Sequence, residues 1–384
     1  MLLCRSAIRT MSSTPLDISA RLAATVVLSS VPAQSEKEVI GTHSGSFHCD
    51  EALATGMLRL LPRFANAPIV RSRDPATLGR CTVLVDVGGK YDHANGYFDH
   101  HQGSFTDTYS PAHTIRLSSA GLVFKHFGRD VVAALADAAG CTLDGKVLDK
   151  LVLRTYEHFV LELDAIDNGV EPSDGPIRYR ISTGLASRVG RLNPAWNESF
   201  DDSRTNNAFK EAVALATNEL AAVIRSYVKH WLPAREIVQR AMAPEARRAV
   251  HASGSIIKLE HFCPWKDHLH EIEAEVAAEE GEPATKRSRG TEDGGADGAP
   301  LVPVLYVLYE DTSGSWRIQA VPQQPDSFVS RKPLPAAWRG VRDADLASVS
   351  GVAGATFAHA SGFIGGAKTL PDVIHMAALA VAAV

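Results

Sequence analysis

Thr82-Val83-Leu84-Val85-Asp86-Val87 is a continuous apolar run that ends at Gly88-Gly89. A strand apolar on both faces has no side to offer water, so it belongs inside a parallel sheet covered by helices. Its neighbours agree. Val39–Thr42 and Ile69–Arg73 read as further short strands. Asp50–Leu61 reads as a helix with Leu53, Met57, Leu60 and Leu61 on one face and Pro62 as its stop. Ser118-Ser119 caps a helix through Phe127. A long helix spans Lys146–Ile166 and ends at Asp167-Asn168-Gly169, and another covers about 207–227. The alternation predicts an α/β fold, a parallel sheet with helices on both faces. In such sheets the ligand crevice lies at the carboxyl ends of the strands, where His43 and Asp86 fall.

A chain of 384 residues exceeds one ordinary core and calls for two domains. Residues 302–309 and 315–321 read as two strands around a Thr-Ser-Gly turn, with a strand at 355–359 and a final helix at 370–384. They predict a smaller C-terminal α/β domain. Residues 275–300, rich in Gly, Glu and Asp and without an aromatic, are expected to be a disordered insert. The expected division is therefore 1–37, 38–200 (metal-binding domain), 201–274 (helical connector), 275–300 and 301–384 (substrate-binding domain). The first 37 residues carry Arg5, Arg9 and Arg21, many Ser and Thr, and one acid before Glu36. That composition suits a mitochondrial transit peptide or a disordered tail. Lys286-Arg287-Ser288-Arg289 matches a nuclear localisation patch, with a solvated charge run as the alternative.

The net charge of −5 excludes a broadly basic nucleic-acid-binding surface. A polyanionic substrate would have to be drawn by a local groove or by bound metal ions. No apolar run reaches the roughly 20 residues of a membrane span. Five cysteines without a CxxC pair argue against a disulfide framework and against a thiolate zinc site.

Four short stretches concentrate oxygen and imidazole ligands. GTHSGSFHCDEALA carries His43, His48 and Asp50; LVDVGG carries Asp86; YFDHHQ carries Asp99, His100 and His101; LDAIDNG carries Asp164 and Asp167. Singly, each has an ordinary reading as a turn residue, a surface histidine or a helix-end charge. Jointly, three of the four lie near strand ends of one sheet. Mixed histidine and carboxylate ligands without thiolate favour Mn²⁺, Mg²⁺, Fe²⁺ or Zn²⁺, and suit Mn²⁺ best. The set is too large for one ion. Two ions roughly 3.5–4 Å apart, with Asp99 or Asp86 bridging, would use it and could clamp a phosphoryl centre.

With LSSAGLVFKHFG, RLNP, CPWKDHL, WRIQAVP and HASGFIGG, these stretches resemble the melanocyte-proliferating-gene (MYG) proteins of the DHH phosphoesterase superfamily, named for the triplet Asp99-His100-His101. The resemblance covers residues 38–384 outside the insert. It implies a larger N-terminal α/β domain, a smaller C-terminal one and an active site between them. His43, His48, Asp50, Asp86, Asp99, His100 and Asp167 or Asp164 would be metal ligands, with Asp167 preferred. His101 would contact the substrate phosphate. Arg317, His359, Ser361, Gly362, Gly365, Gly366 and Lys368 are the candidate substrate contacts of the C-terminal domain, which would grip the terminal nucleotide, with ordinary sheet and turn structure as the alternative. Two departures stand out. The first motif is His-x-x-x-x-His-x-Asp where many superfamily members have His-x-x-x-Asp-x-Asp, and Gly365-Gly366 is followed by Ala367-Lys368 where related nucleases have histidine.

The implied activity is metal-dependent 3′–5′ exonucleolytic cleavage of single-stranded RNA, in mitochondria and in the nucleus or nucleolus. Trp196, Trp231, Trp265, Arg188, Arg191 and Lys266 are available as stacking and basic groove residues, though tryptophan more often serves a core. Hydrolysis of pyrophosphate or of short or cyclic dinucleotides is the alternative chemistry. A non-catalytic RNA- or protein-binding regulator is the alternative class. Oligomeric state has no signature in the sequence.

Overall fold

The computed structural model describes residues 16–32, 38–198, 201–281 and 302–383. The chain divides into two compact units, Met1–Lys229 and His230–Val384. The tetrad Lys286–Arg289 and the first fifteen residues lie outside the described residues.

The first unit runs α1 (Ile18–Ala23), β1 (Val27–Leu28), β2 (Ile40–Thr42), α2 (Cys49–Leu60), β3 (Ile69–Arg71), α3 (Pro75–Leu78), β4 (Val83–Val85), β5 (Tyr91–Asp92), β6 (Tyr97–Phe98), α4 (Ser119–Ala138), α5 (Gly145–Thr155), α6 (Leu161–Asp167), α7 (Leu185–Gly190) and α8 (Asp202–Ser226). One π-helical turn, Tyr156–Val160, joins α5 to α6. The six strands form one sheet in the order β1-β3-β2-β4-β6-β5, parallel throughout except for β5 at the edge. The adjacent strands β2, β4 and β6 therefore end on the same side.

Helix α2 is buried at all twelve positions. A helix buried all round needs small residues where neighbours approach, and Ala52, Ala54 and Gly56 supply them. A Cβ on Gly56 would stand 2.0 Å from Thr217 Oγ1 of α8. That hydroxyl donates to Val213 O at 2.6 Å and is not free to swing away. Gly56→Ala is expected to destabilise the unit by about 1–3 kcal/mol through overpacking, read as a lower urea midpoint with unchanged slope.

Three elements differ from the sequence expectation. Residues 18–28, placed within a detached leader, are part of the fold: Asp17 caps α1, and Val27 and Leu28 pair with Ile69 and Val70. The helix expected to stop at Phe127 continues to Ala138, because burial of Val131, Val132, Leu135 and Ala136 outweighs the roughly 1 kcal/mol that Gly128 costs in a helix. Residues 275–281, expected to open the disordered insert, complete a helix of the second unit, and the rest of that stretch lies outside the described residues.

The second unit runs α9 (Leu232–Met242), α10 (Pro244–Val250), β7 (Ile256–Lys258), α11 (Lys266–Gly281), β8 (Tyr306–Glu310), β9 (Trp316–Ala320), α12 (Asp343–Ser350), β10 (Ala355–Ala358), β11 (Ile364–Ala367) and α13 (Leu370–Ala382). Its sheet has the order β10-β11-β9-β8-β7, antiparallel except for β7 against β8. The helices before β7 belong to this unit, whereas α8 packs on α2 in the first. The stretch expected to be one helical connector is thus shared between two cores. No helix of the described residues is long and apolar enough to cross a membrane.

Candidate metal centre

The site is built on three neighbouring strand ends. His43 follows β2, Asp86 follows β4, and Asp99-His100-His101 follow β6. Because these strands are parallel and adjacent, their last residues stand side by side, one strand spacing of about 4.8 Å apart. The N-terminus of α2 brings His48, Asp50 and Glu51 to the same place, and the C-terminus of α6 brings Asp167.

Asp86 is the hub. Its backbone adopts φ +57°, a left-handed conformation that costs a non-glycine residue about 1–3 kcal/mol. The turn leaves its carboxylate 3.3 Å from His43 Nε2 on one side, and 3.3 Å from His100 Nε2 and 3.6 Å from His101 Nδ1 on the other. Burial raises the carboxyl's pKa, but the imidazoles of His100 and His43, each 3.3 Å away, outweigh it and hold it at about 2. Burial also lowers His43, yet Asp86 and Glu51 reverse this and push it up to about 10. The same contest at His100, settled by Asp167 at 3.0 Å and by Asp86, leaves it at about 9.

Asp50 is buried and accepts a hydrogen bond from Ser119 Oγ at 2.7 Å. Burial first, then the charges of Asp86, Asp167 and Glu51, raise its pKa well above the carboxylate range. Asp50 Oδ1, Asp86 Oδ1 and His100 Nε2 are buried without a hydrogen-bond partner. Crowded carboxylates with orphaned oxygens beside imidazole nitrogens are a donor set that a divalent cation satisfies. The candidate ligand atoms fall into three groups, each within 4.8 Å: His43, His48, Glu51 and Asp86; Asp86, His100 and His101; His48, Asp50 and Asp167. Asp86 and His48 each belong to two groups, so the groups form one continuous centre.

Two expected ligands stand differently. Asp99 is absent from the converging atoms: its Oδ2 accepts from Gly89 N at 2.6 Å, and its Oδ1 accepts from His101 N at 3.1 Å and from His101 Nδ1 at 2.8 Å. Its carboxylate orients the half-exposed His101 ring. Asp164 is fully buried in a separate net, accepting from Ser118 N (2.9 Å), Ser118 Oγ (2.7 Å) and Tyr156 OH (2.9 Å). Burial raises it to about 6 against the pull of these donors. Its closeness to α4 explains Gly121, where a Cβ would stand 2.3 Å from Asp164 Oδ1. Asp164→Ala is expected to cost about 3 kcal/mol or more in stability, because it strands buried donors, while Mn²⁺ affinity of the folded protein stays unchanged. Asp167→Ala is expected to weaken Mn²⁺ binding at least tenfold; denaturant midpoints and metal titrations of both variants check this.

Several residues of the site were not singled out from the sequence. Glu51 accepts from His48 N at 2.8 Å and lies 3.1 Å from His43 Nε2. Its signal was present as the third residue of a capping box begun by His48. Arg73, two residues past β3, donates from Nε to Ser44 O at 3.1 Å and lies 3.3 Å from His43 Nδ1. A cavity of about 760 Å³ opens beside the centre, walled by Phe47, Gln102, Arg116, Ile166 and α7 as well as by the ligands. A second, of about 290 Å³, lies between Arg73 and the Val87–Gly89 turn. His48, Asp86 and His101 line both.

The expected substrate contacts of the second unit cluster around β9 and β11. Arg317 pairs with Asp311, lies over the Phe357 ring at 5.2 Å, and stands opposite Gly366 in the strand register. A Cβ on Gly366 would meet the Arg317 guanidinium at 2.6 Å. His359 Nδ1 accepts from Ser361 N at 3.2 Å and lies 2.9 Å from its hydroxyl, in a turn closed by Gly362 at φ +74°. Gly365 pairs with Ile318, and Lys368 is exposed. Of the tryptophans, Trp196 is 96% exposed, while Trp231 and Trp265 are buried. Arg188 pairs with Glu219.

A mainly parallel α/β sheet whose strand ends gather histidines and carboxylates with orphaned polar atoms defines an α/β protein with a candidate divalent-metal centre. Residues 39–381 match the MYG1 exonuclease family, described as an uncharacterised protein family (UPF0160), and the chain belongs to this family. It is 44% identical over 346 residues to the MYG1 exonuclease of Mus musculus, covering 88% of this chain and 83% of that protein. It is 43% identical over 340 residues to a MYG1 protein of Dictyostelium discoideum (88% and 94%). The Homo sapiens MYG1 exonuclease is 44% identical over 346 residues (88% and 84%). No solved structure matches the chain significantly.

Proposed function

We propose that the chain is a divalent-metal-dependent exonuclease that shortens single-stranded RNA from its 3′ end. The observation that carries the reading is the convergence of Asp50, Asp86 and His100, each with a buried orphaned ligand atom, inside a family whose mammalian members are named exonucleases. His43, His48 and Asp86 would hold one ion; Asp50, His100 and Asp167, sharing Asp86, would hold a second. Oxygen and imidazole donors favour Mn²⁺, with Mg²⁺ as the substitute. Bound there, divalent ions supply Lewis acidity toward phosphoryl oxygens and water of lowered pKa. The chain's own residues do the rest. Asp99 holds His101 through Nδ1, which leaves Nε2 as the ring nitrogen available to a phosphate oxygen in the cavity that His101 lines. Arg116 brings a permanent cation to the same cavity.

Arg5, Arg9 and the Ser and Thr residues of the first fifteen positions, together with the Lys286–Arg289 tetrad, support work in mitochondria and the nucleus; fusing each segment to a fluorescent reporter tests this.

The catalytic reading is tested by incubating 3′- and 5′-labelled single-stranded RNA with the protein in Mn²⁺, Mg²⁺ or EDTA. Immediate loss of the 3′ label with a ladder of shortened 5′-labelled products is expected in metal and not in EDTA. No shortening of RNA, with rapid cleavage of pyrophosphate or a dinucleotide, would replace this reading by small-molecule hydrolysis, which a cavity of about 760 Å³ also accommodates.

A further inference from the structure

Residues 170–184 join α6 to α7 without helix or strand, and the side chains of 169–183 are all exposed. Both ends of the segment are fixed at the larger cavity. Asp167 and Asn168 line it before the segment, and Ala186, Ser187 and Gly190 line it after. Arg191 donates to Ser182 O at 2.8 Å, and Asn193 exchanges hydrogen bonds with the Phe47 backbone at 2.9 and 2.8 Å. The first unit exposes eight large apolar side chains among its described residues, and six of them lie within residues 166–196. Chance scatter over the surface would not collect them in one stretch of chain whose two ends line the cavity.

The composition of the segment says what covers it. Residues 175–197 hold four arginines and no acid, in a chain of net charge −5. Arg188 is committed to Glu219 and Arg191 to Ser182. Arg178 and Arg180 have no carboxylate partner among the described residues. They flank Tyr179, which is 75% exposed, in the alternation Ile177-Arg178-Tyr179-Arg180-Ile181. Arginine and tyrosine also occur at protein interfaces, so the deciding observation is the one-sided charge, four arginines without an acid over residues 175–197. A polyanion with flat rings favours what is found, guanidinium groups for phosphates beside exposed aromatic faces for bases. Trp196 adds a second exposed ring. Chain length bounds its Cα to about 11 Å from that of Asn193, and that of Tyr179 to about 25 Å from Ala186.

We propose that Ile177–Ile181, together with Trp196, form a landing strip for single-stranded RNA at the mouth of the cavity, holding nucleotides upstream of the one being removed. This rests on the nuclease reading but is tested apart from it, by binding without turnover. The full chain is titrated in EDTA against a fluorescent RNA of about 20 nucleotides, longer than the roughly 4–16 a single-strand groove occupies. Arg178→Ser/Arg180→Ser is expected to weaken binding at least tenfold, and to flatten the slope of log affinity against log salt by about 1.4, at about 0.7 per lost phosphate contact. Arg178→Lys/Arg180→Lys keeps that slope. Tyr179→Ala loses affinity and Tyr179→Phe retains it. RNA is also expected to quench tryptophan emission, and most of the quench to be lost in Trp196→Phe, since Trp231, Trp265 and Trp338 are buried and Trp316 is partly buried. Wild-type affinity and slope in the serine variant would overturn the proposal. So would a change in sedimentation mass without a change in RNA affinity, which would make the strip a self-association surface. RNA binding that survives while metal-dependent shortening is never seen would refute the nuclease reading and leave the strip standing.

Discussion

Asp86→Asn is expected to abolish the metal centre and lower phosphodiester hydrolysis by about 10³-fold, equivalent to about 4 kcal/mol of transition-state stabilisation, without unfolding the protein. Asparagine keeps the volume and tolerates the left-handed backbone that residue 86 adopts at φ +57°. What it removes is the one carboxylate shared between the His43 side and the His100 side of the centre. Loss of a ligand serving only one group would leave the others intact, whereas loss of Asp86 breaks two of the three at once. Mn²⁺ titration, hydrolysis rate and circular dichroism on one preparation check the effect. A variant that binds Mn²⁺ as tightly as the parent would show that the ligands close around another residue.

The second large effect concerns pH and metal together. Without metal, His43 titrates near 10 and His100 near 9, both above the ordinary value of 6.5. Between pH 6.5 and 10 the folded protein therefore binds more protons than the unfolded chain. The stabilisation from these two groups is complete below pH 6.5 and is lost as pH rises through 9–10. Asp86, held near 2, acts in the opposite sense and withdraws its stabilisation only as pH falls through its own low range. Metal competes with the two imidazole protons, so the gain on adding Mn²⁺ grows with pH. At a free concentration about 100 times its Kd, Mn²⁺ is expected to add about 2.7 kcal/mol, which for a unit of this size raises Tm by roughly 5–10 °C. Melting in EDTA and in Mn²⁺ at pH 6, 8 and 9.5 measures both trends. A metal-free Tm that is flat across this range would contradict the electrostatic picture of the centre.

The parts of the site legible in the sequence are those fixed by strand order. Once the run before Asp86 is read as a buried parallel strand, His43 and Asp86 at the ends of β2 and β4 belong in one crevice, and they stand together there; the two-residue β6 that brings Asp99–His101 beside them had no strand signal of its own. Harder to read was what each side chain does once there. Asp164 and Asp167 lie one helical turn apart with the same chemistry, and only the hydroxyls of Ser118 and Tyr156 draw Asp164 away. Glu51 was not singled out, because its capping-box pattern begins with histidine in place of serine or threonine. Asp99 carries a ligand's side chain but spends both oxygens on Gly89 and His101. The fold was least legible where pairing is short or distant. The two-residue strand β1 has no periodicity, and β7 meets β8 only after α11 and the insert have intervened. The strip at 177–181 has no partner within the first unit's core, so a reading based on burial had no reason to single it out.

The most direct test of the account follows bound metal and RNA shortening in the same samples. Metal-free protein is titrated with Mn²⁺ while the number of ions bound per chain and the rate of 3′-end shortening are recorded together. Two ions per chain are expected, with activity rising only as the second binds, and with both ions and activity lost in Asp86→Asn. A single ion, or shortening that persists in EDTA or in the Asp86 variant, would contradict it.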